Sequence, residues 1–251
     1  MDEPTLPQEV KEALLNANHV VALTGAGVSA ESGVPTFRGA GGLWENHRAE
    51  DLATPEAFMR DPALVWRWYD WRRGLIAPLS PNPGHYALAR MEKKFKQFTL
   101  ITQNVDGLHS KAGSAAPIEI HGNIWFARCV QEGTVRENRE TPLQVIPPVC
   151  PNCGGMERPH IVWFGEQLDQ DKLGLALEAL ENCNALIVAG TSGVVQPAAS
   201  FAGMARSAGA FVIEVNTERT PVTAMAHATI RAPSGEALPL LAKLAQTASG
   251  G

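Results

Sequence analysis

Apolar residues along the chain follow two alternating patterns, which together predict strands and helices in turn. Runs of β-branched and other apolar residues, typical of strands buried on both faces, fall at about 19–24, 98–102, 118–120, 185–189, 211–215 and 229–230. Helical spacing occurs at about 7–17, 55–59, 61–73, 85–91, 169–182, 197–208 and 235–247. This alternation indicates a parallel sheet with both faces covered. Asp61 and Pro62 predict the start of the third helix, which we expect to end at Gly74.

Two stretches interrupt this alternation. Residues 35–47 are rich in Pro, Gly and aromatic residues and show no strand pattern. Residues 123–158 are charged, rich in Pro and bear cysteines, so we interpret them as a small insert held together by something other than an apolar core. Between these stretches, Trp66, Trp68 and Trp71 fall within six residues, and their helix must therefore line something apolar.

Composition narrows the class of protein. The chain has 251 residues, 45% of them apolar, which is enough for one large domain. A net charge of -5 argues against a general nucleic-acid binder, and no apolar run reaches the roughly 18 residues of a membrane span. The acidic, polar start is unlike a signal peptide. Four cysteines, two of them as Cys150-x-x-Cys153, fit a reducing compartment, and we expect the cytoplasm.

The first strand is followed by the spacing Gly25-x-Gly27-x-x-Ala30 of a dinucleotide-binding fingerprint. Gly25 would let the chain turn off the strand, Gly27 would let the backbone approach a pyrophosphate, and Ala30 would keep the next helix close to the sheet. Any tight strand-to-helix turn favours small residues, so the fingerprint alone is a weak signal. The second strand and acidic residue of a Rossmann unit, expected about 20 positions on, are missing.

Polar or Gly-rich residues follow five of the predicted strands. The carboxyl ends of parallel strands meet at one edge of a sheet, where ligands bind, so these clusters predict a nucleotide site. They are Gly25-Ala26-Gly27, Gln103-Asn104-x-Asp106, His121-Gly122, Gly190-Thr191-Ser192 and Asn216.

In order and spacing these residues resemble the sirtuins, a family of NAD-dependent protein-lysine deacylases, over about residues 10–240. The matching motifs are Gly25-Ala26-Gly27-Val28-Ser29, Gly33-x-Pro35-x-Phe37-Arg38, Thr102-Gln103-Asn104-x-Asp106-x-Leu108-His109, His121-Gly122, Gly190-Thr191-Ser192 and Val215-Asn216. The resemblance implies a Rossmann-like parallel sheet with helices on both faces, plus a smaller domain. It assigns 1–36, 75–122 and 160–251 to the NAD-binding domain, 37–74 to a helical module and 123–159 to a zinc-ribbon-like module.

The resemblance also implies that NAD binds as a co-substrate and is consumed. The residues implied to hold its phosphates and shield the reacting ribose are Gly25, Ala26, Gly27, Ala30, Phe37 and Arg38. Those implied on the nicotinamide side are Gln103, Asn104 and Asp106. Those implied on the adenosine half are Gly190, Thr191, Ser192, Asn216 and Glu218, of which Asn216 and Glu218 would replace the missing ribose-binding acid.

By the same resemblance, His121 and Asn104 are the catalytic residues, with His121 as general base. An unperturbed pKa near 6.5 suits a histidine to this role at neutral pH. Taken alone, a histidine at a strand end is more often a packed or surface residue. The segment implied to pair as a strand with the acyl-lysine peptide is Val162, Trp163, Phe164, Gly165 and Glu166.

The motif Tyr69-x-x-Arg72 resembles the class III sirtuins, which prefer succinyl, malonyl or glutaryl lysine. An arginine fork can bind a carboxylate through two hydrogen bonds, and the tyrosine hydroxyl can add a third. Ala53 fits the same class and would leave room for a longer acyl group. The alternative is a solvated helix face on which Arg72 is one of several surface charges.

The resemblance implies a structural zinc held by two Cys-x-x-Cys pairs, but the first pair here reads Cys129-Val130-Gln131-Glu132. Glu132 could supply a fourth ligand beside Cys129, Cys150 and Cys153, since zinc accepts carboxylate oxygen. Alternatively the site has been lost and packing holds the insert. We interpret Cys183 as a small buried hydrophobe.

Other functions stay open. An NAD-dependent dehydrogenase explains the fingerprint but neither the missing second strand nor the cysteine insert. Mono-ADP-ribosyl transfer and a non-catalytic NAD-sensing or zinc-binding module are further alternatives. The expected partners are acylated-lysine proteins or peptides, with no nucleic acid or membrane, and we expect a monomer.

Overall fold

The computed structural model describes residues 6–35, 43–45 and 47–244 of the chain. All six predicted strands are present, each within one residue of its predicted bounds. The strands in the described residues are, in chain order, β1 (His19–Thr24), β2 (Leu43–Trp44), β3 (His47–Arg48), β4 (Gln97–Thr102), β5 (Ile118–Glu119), β6 (Gly122–Cys129), β7 (Val135–Glu137), β8 (Glu157–Ile161), β9 (Ala185–Ala189), β10 (Phe211–Val215) and β11 (Ala228–Ile230).

The α-helices of the same described ranges include the predicted ones, among them the short helix after the fingerprint, and two short additions near residues 49 and 108; a 3-10 helix spans Pro221–Ala224. They are α1 (Gln8–Leu15), α2 (Ala26–Ala30), α3 (Ala49–Leu52), α4 (Pro55–Arg60), α5 (Pro62–Ile76), α6 (Pro83–Glu92), α7 (Leu108–Lys111), α8 (Gln170–Asn182), α9 (Ala198–Ser207) and α10 (Ser234–Leu244). None of these helices is both long and apolar enough to cross a membrane. Asp61 caps α5 as predicted, because its carboxylate accepts a hydrogen bond from the backbone N–H of Leu64 at 2.8 Å.

Strand β1 lies inside a six-stranded sheet of order β11-β10-β9-β1-β4-β5, in which every pair of neighbours is parallel. All six residues of β1 are buried. Thr24 at the end of β1 pairs with Thr102 at the end of β4 and with Ala189 at the end of β9. The loops that follow these three strands therefore start at one edge of the sheet. The predicted α/β fold with a parallel sheet is confirmed.

Alternate residues of β1 face two different apolar cores. Val20 and Ala22 belong to the core under α1, α6 and α10. Val21 and Leu23 belong to the core under α8 and α9. Because successive side chains of a strand point to opposite faces, one apolar run supplies both cores. The sheet is thus covered on both faces, which leaves its edges for polar chemistry.

A third core lies outside the sheet, between α5 and the antiparallel strands β7-β6-β8. The expectation that residues 123–158 lack an apolar core is wrong, because Ile124 of β6 and Trp66 of α5 are both fully buried in it. Charged residues obscured these strands in the sequence. Glu157 of β8 is 1% exposed, and its carboxylate accepts two hydrogen bonds from Arg136 at 2.7 and 2.6 Å.

Two other predictions need correction near this core. Helix α5 runs two residues beyond Gly74, where the sequence predicts its end. Ile76 is 3% exposed and lies in the third core, and its burial offsets the roughly 1 kcal/mol that a glycine costs inside a helix. The stretch without a strand pattern contains β2 and β3, a two-residue antiparallel pair that is too short to show a period.

Arg73 joins helix α5 to the three-stranded sheet β7-β6-β8. Its side chain is 0% exposed, and its guanidinium donates to the carbonyl of Ile124 at 2.8 Å and to Asn138 Oδ1 at 3.3 Å. Burial lowers the pKa of this guanidinium to about 10, so the group stays charged at neutral pH. Main-chain and amide oxygens accept from Nε and Nη1 of this charged group, whereas its buried Nη2 has no hydrogen-bond partner among the described residues.

We expect Arg73→Met to destabilise the protein by about 3 kcal/mol, because buried acceptors such as the carbonyl of Ile124 would lose their donor. In a chain of this size that loss corresponds to roughly 6–12 °C in Tm, measured by calorimetry. Arg67→Met, an exposed position on the same helix, is the matched control and should leave Tm nearly unchanged. Equal Tm values for the two variants would contradict a stabilising role for Arg73.

Candidate active site

The turn after β1 touches the turn after β9 through two glycines. The backbone N–H of Gly27 donates to the carbonyl of Gly190 at 2.7 Å, and that of Gly25 donates to Ala189 at 3.0 Å. A Cβ on Gly190 would lie 2.4 Å from the nitrogen of Val28, and Gly190 has φ +59. Gly27 and Gly190 therefore both have to lack a side chain. Ala26 is exposed at the start of α2, next to this contact.

Ala30 does not pack as predicted. It is exposed, whereas Val28 and Ser29 are the buried residues of α2. Helix α2 has only five residues, and its last residue faces solvent. The packing of α2 against the sheet therefore does not depend on a small side chain at position 30. The close approach between the two loops depends on Gly27 instead.

The loop after β4 is bonded to both glycine turns. Asn104 is 8% exposed, and its Nδ2 donates to the carbonyl of Gly25 and to Ser29 Oγ, each at 3.0 Å. Gln103 Nε2 donates to Thr191 Oγ1 at 3.0 Å. The amide side chains of this loop are thus fixed relative to the fingerprint and to the turn after β9.

Asp106 lies deeper in the same loop and is 5% exposed. Burial raises the pKa of its carboxyl group, while hydrogen bonds from Leu108 N–H and Ser29 and the charge of Arg72 act in the opposite direction. The indole N–H of Trp125 donates to the backbone carbonyl of Asp106 at 2.8 Å. A buried carboxyl group with fixed neighbours is a candidate for binding a polar ligand group.

His121 follows β5 and faces the Gln103 loop. Its Nδ1 lies 3.1 Å from the carbonyl of Gln103, an oxygen that only accepts, so Nδ1 carries the proton and Nε2 is left with its lone pair. Burial lowers the pKa of the imidazole, against a smaller opposite effect of that hydrogen bond. Gly122 has φ +82, and a Cβ there would lie 2.2 Å from the carbonyl of His160. Only glycine can take this backbone conformation so close to β8, and His121 is thereby held next to that strand.

The loops after β9 and β10 form the far end of the same edge. Asn216 Nδ2 donates to the carbonyl of Thr191 at 2.8 Å, and Ser192 is partly buried beside Thr191. Glu218 is exposed, but Arg231 donates to its backbone carbonyl at 2.6 Å. Of the residues predicted to hold NAD, those described by the structure thus lie at one sheet edge, in the loops after the strands and in the short helix α2. Phe37 and Arg38 lie outside the described residues.

Tyr69 and Arg72 share one buried face of α5. Tyr69 is 1% exposed and Arg72 is 9% exposed, so the alternative of a solvated helix face is wrong for these two side chains. The guanidinium of Arg72 lies 5.1 Å from the ring centroid of Trp68 and 5.9 Å from that of Tyr69. Burial raises the pKa of Tyr69 to about 12 and lowers that of Arg72, so the hydroxyl is protonated at neutral pH.

Residues 162–166 follow β8 and connect His121 to the backbone at Ala53. Val162 N–H donates to the carbonyl of His121 at 3.0 Å, and Phe164 N–H donates to the carbonyl of Ala53 at 2.9 Å. Residues 162–166 are not a strand here, and the chain turns at 164–165. Phe164 is 55% exposed. Gly165 has a positive φ of 85, which this turn requires.

Three thiols and one carboxylate meet at the end of the three-stranded sheet. The ligand atoms of Cys129, Glu132, Cys150 and Cys153 all lie within 4.8 Å of one another. The sulfurs of Cys129 and Cys153 are 3.5 Å apart, and Cys150 Sγ lies 3.8 Å from Glu132 Oε2. Two sulfurs bound tetrahedrally to one zinc ion are about 3.8 Å apart, so the donors fit zinc. Cys183 is buried elsewhere, beside the carbonyl of Leu180, as predicted.

A buried pair of histidines under the fingerprint was not predicted from the sequence. His85 Nε2 lies 3.3 Å from Ser29 Oγ, His109 Nε2 lies 2.9 Å from Thr24 Oγ1, and the two rings are 4.8 Å apart. Burial lowers their pKa values to about 4 and about 3, so both are neutral. The signal available was His109 in the quoted motif, but nothing local indicated that His85 lies against it.

Comparisons with known proteins bear on this site. The sequence profile described as the Sir2 family matches residues 25–197. An "NAD-dependent protein deacylase" of Aquifex aeolicus is 58% identical over 208 residues, which are 83% of this chain and 87% of that protein. An "NAD-dependent protein deacylase 2" of Pyrobaculum aerophilum is 52% identical over 232 residues, 92% of this chain and 93% of that protein.

Solved structures give the same result. A Sir2 homologue in complex with NAD has a TM-score of 0.92 at 42% identity, covering 99% of this chain and 97% of that one. A complex of Sir2 with a p53 peptide and NAD+ has a TM-score of 0.84 at 30% identity, covering 95% and 98%.

Proposed function

Because the chain belongs to the Sir2 family and is an NAD-dependent protein deacylase, we propose that it removes succinyl, malonyl and glutaryl groups from lysine in preference to acetyl groups. The observation that carries this proposal is the burial of Tyr69 and Arg72 together on one face of α5. The products would be lysine, nicotinamide and a 2'-O-acyl-ADP-ribose. Acetyl-lysine would be a weaker substrate.

We propose that the loops at the sheet edge bind NAD. The phosphates would lie against the turn of Gly25, Ala26 and Gly27, with Ala30, Phe37 and Arg38 further along the same segment. The adenosine half would lie along Gly190, Thr191, Ser192, Asn216 and Glu218. What supports this is the contact between Gly27 and Gly190, which brings the two loops together, and the likeness to an NAD complex.

At the other end, Asn104 and Asp106 would hold the nicotinamide carboxamide, with Gln103 beside them. NAD supplies the ribose carbon that receives the acyl oxygen as nicotinamide leaves. His121 Nε2 would then accept the proton of a ribose hydroxyl, since Nδ1 is already bonded to the Gln103 carbonyl. Histidine with a lowered pKa is neutral at pH 7 and available as a base.

We propose that the acyl-lysine peptide lies along Val162, Trp163, Phe164, Gly165 and Glu166. A relative of known structure binds a p53 peptide. In this chain the segment bonds both to His121 and to Ala53, so a lysine entering between them would reach the base and the buried face of α5. The small side chain of Ala53 would leave room for a longer acyl chain.

Arg72 would read the acyl carboxylate. Its guanidinium lies among aromatic rings, where an ion pair is stronger than in water. The protonated hydroxyl of Tyr69 would donate a further hydrogen bond. An uncharged acyl chain offers no carboxylate for these contacts, and this difference would produce the preference.

We also propose that Glu132 completes a structural zinc site with Cys129, Cys150 and Cys153. The sulfur–sulfur and sulfur–oxygen separations of 3.5 and 3.8 Å support four donors around one ion. The metal would stabilise the three-stranded sheet away from His121. A monomeric state and a cytoplasmic location stay predictions.

We expect Arg72→Met to lower kcat/KM for a succinyl-lysine peptide by at least about tenfold, through loss of a charged contact of a few kcal/mol. Deacetylation of the same peptide sequence should change little. Nicotinamide release, measured with acetyl, malonyl, succinyl and glutaryl peptides, checks both statements. Arg67→Met is the control for a lost charge on α5. Equal losses on acetyl and succinyl peptides, or a wild-type enzyme that prefers acetyl, would refute the acyl preference.

The acid limb of the pH–rate profile should lie below pH 6.5. His121 is a base only when neutral, so kcat/KM should decline as pH falls through its pKa, which burial places below the usual value. We expect a plateau at neutral pH and a decline at lower pH, measured from pH 5 to 8. His121→Tyr should abolish turnover. An inflection above 6.5, or turnover by that variant, would contradict the assignment.

Protein purified without chelator should contain one zinc per chain by elemental analysis. Replacing Glu132 with Gln should weaken retention of zinc during dialysis against a chelator, because a neutral amide oxygen is a poorer zinc ligand than a carboxylate. Glu132→Cys should strengthen it, because a thiolate binds zinc more tightly than a carboxylate. Wild-type protein without zinc would show that packing alone holds this sheet.

A further inference from the structure

A side-chain hydrogen bond connects the proposed peptide segment to the proposed acyl-reading face of α5. The indole Nε1–H of Trp163 donates to the hydroxyl oxygen of Tyr69 at 2.9 Å. The two residues are 94 positions apart in the sequence, and their side chains are 3% and 1% exposed. Water therefore does not compete for this bond.

The direction of this bond is fixed by chemistry. An indole N–H can only donate, so the Tyr69 hydroxyl must act as the acceptor. Burial keeps that hydroxyl protonated, because it raises the pKa of Tyr69 to about 12. The one proton of Tyr69 then has to point to an acceptor other than Trp163. A hydroxyl without such a neighbour could rotate and offer either its proton or a lone pair.

The ring of Trp163 is itself held on two sides. The guanidinium of Arg158 lies 3.5 Å from its centroid, and the ring of Phe58 lies 5.2 Å away at 42°. Glu166 accepts two hydrogen bonds from Arg158, at 2.6 and 2.9 Å, and a third from the backbone N–H of Trp163 at 2.9 Å. A cation over the ring face withdraws electron density and makes the indole N–H a better donor.

We infer that Trp163 is a positioning residue that determines acyl specificity, because its indole N–H orients the Tyr69 hydroxyl as a hydrogen-bond donor to the carboxylate of an acidic acyl group. The inference rests on the proposed preference for acidic acyl groups. Arg158 and Glu166 hold Trp163 in the position that this role requires. One network thus connects the proposed peptide segment to the group that reads the acyl chain.

A double-mutant cycle on a purified enzyme tests this role. The variants are Trp163→Phe, which keeps an aromatic ring and loses the N–H, Tyr69→Phe, and both together. The measured quantity is the ratio of kcat/KM for a succinyl-lysine peptide to that for the acetyl-lysine peptide of the same sequence. We expect Trp163→Phe to lower the ratio by about 3- to 10-fold, as for loss of one oriented hydrogen bond.

The combined variant should have about the ratio of Tyr69→Phe alone, because the indole acts only through the hydroxyl. Trp66→Phe is the matched control. Trp66 is also a buried residue of the third core whose indole N–H donates a 2.8 Å bond, in its case to the carbonyl of Glu157. That variant should lower Tm and leave the ratio unchanged, as expected for a structural bond.

Three outcomes separate the possibilities. A wild-type enzyme with no preference for succinyl would overturn the proposed function and the inference with it. A preference that survives in Trp163→Phe, or losses that add in the double variant, would overturn the inference alone. If Trp163→Phe melts well below the wild type, benzothienylalanine at position 163 keeps the bicyclic shape without the N–H, and an unchanged ratio there would overturn the inference equally.

Discussion

Gly27 donates its backbone N–H to the carbonyl of Gly190 at 2.7 Å, and the edge of the sheet is organised around this contact. It is possible only because neither residue has a side chain, since a Cβ on either would overlap the backbone of the other. Gln103 and Asn104 then bond to the residues beside the two glycines from the loop between them. In a parallel sheet covered on both faces, ligands bind beyond the carboxyl ends of the strands, and this edge is where we propose that NAD and the acyl-lysine meet.

Helix α5 shows how neighbouring charges acquire different roles from their surroundings. Arg67 is exposed, whereas Arg72 and Arg73 are buried. The guanidinium of Arg73 donates to the carbonyl of Ile124 and to Asn138, and it joins α5 to the three-stranded sheet. That of Arg72 lies against aromatic rings beside Tyr69, at the place where the acyl chain would arrive. All three are arginines, so residue type does not distinguish their roles. Their positions on the helix do.

The three-stranded sheet combines an apolar core with a cluster of metal donors at its end. Packing of Ile124 against α5 stabilises one side, and Arg136 satisfies the buried carboxylate of Glu157 within β8. The donors of Cys129 and Glu132 lie at the end of β6 and in the turn that follows it. A metal bound there would add to the stability of this sheet, away from His121.

The six strands of the parallel sheet and the polar clusters that follow them could be predicted from the sequence, because continuous apolar runs and glycine turns are local properties. It also indicated the family from ordered motifs such as Gln103-Asn104-x-Asp106. The burial of Arg72 and Glu157, the exposure of Ala30 and the apolar core of residues 123–158 became apparent only in the folded structure. These depend on contacts such as that of Trp163 with Tyr69, 94 positions apart, which no local pattern records.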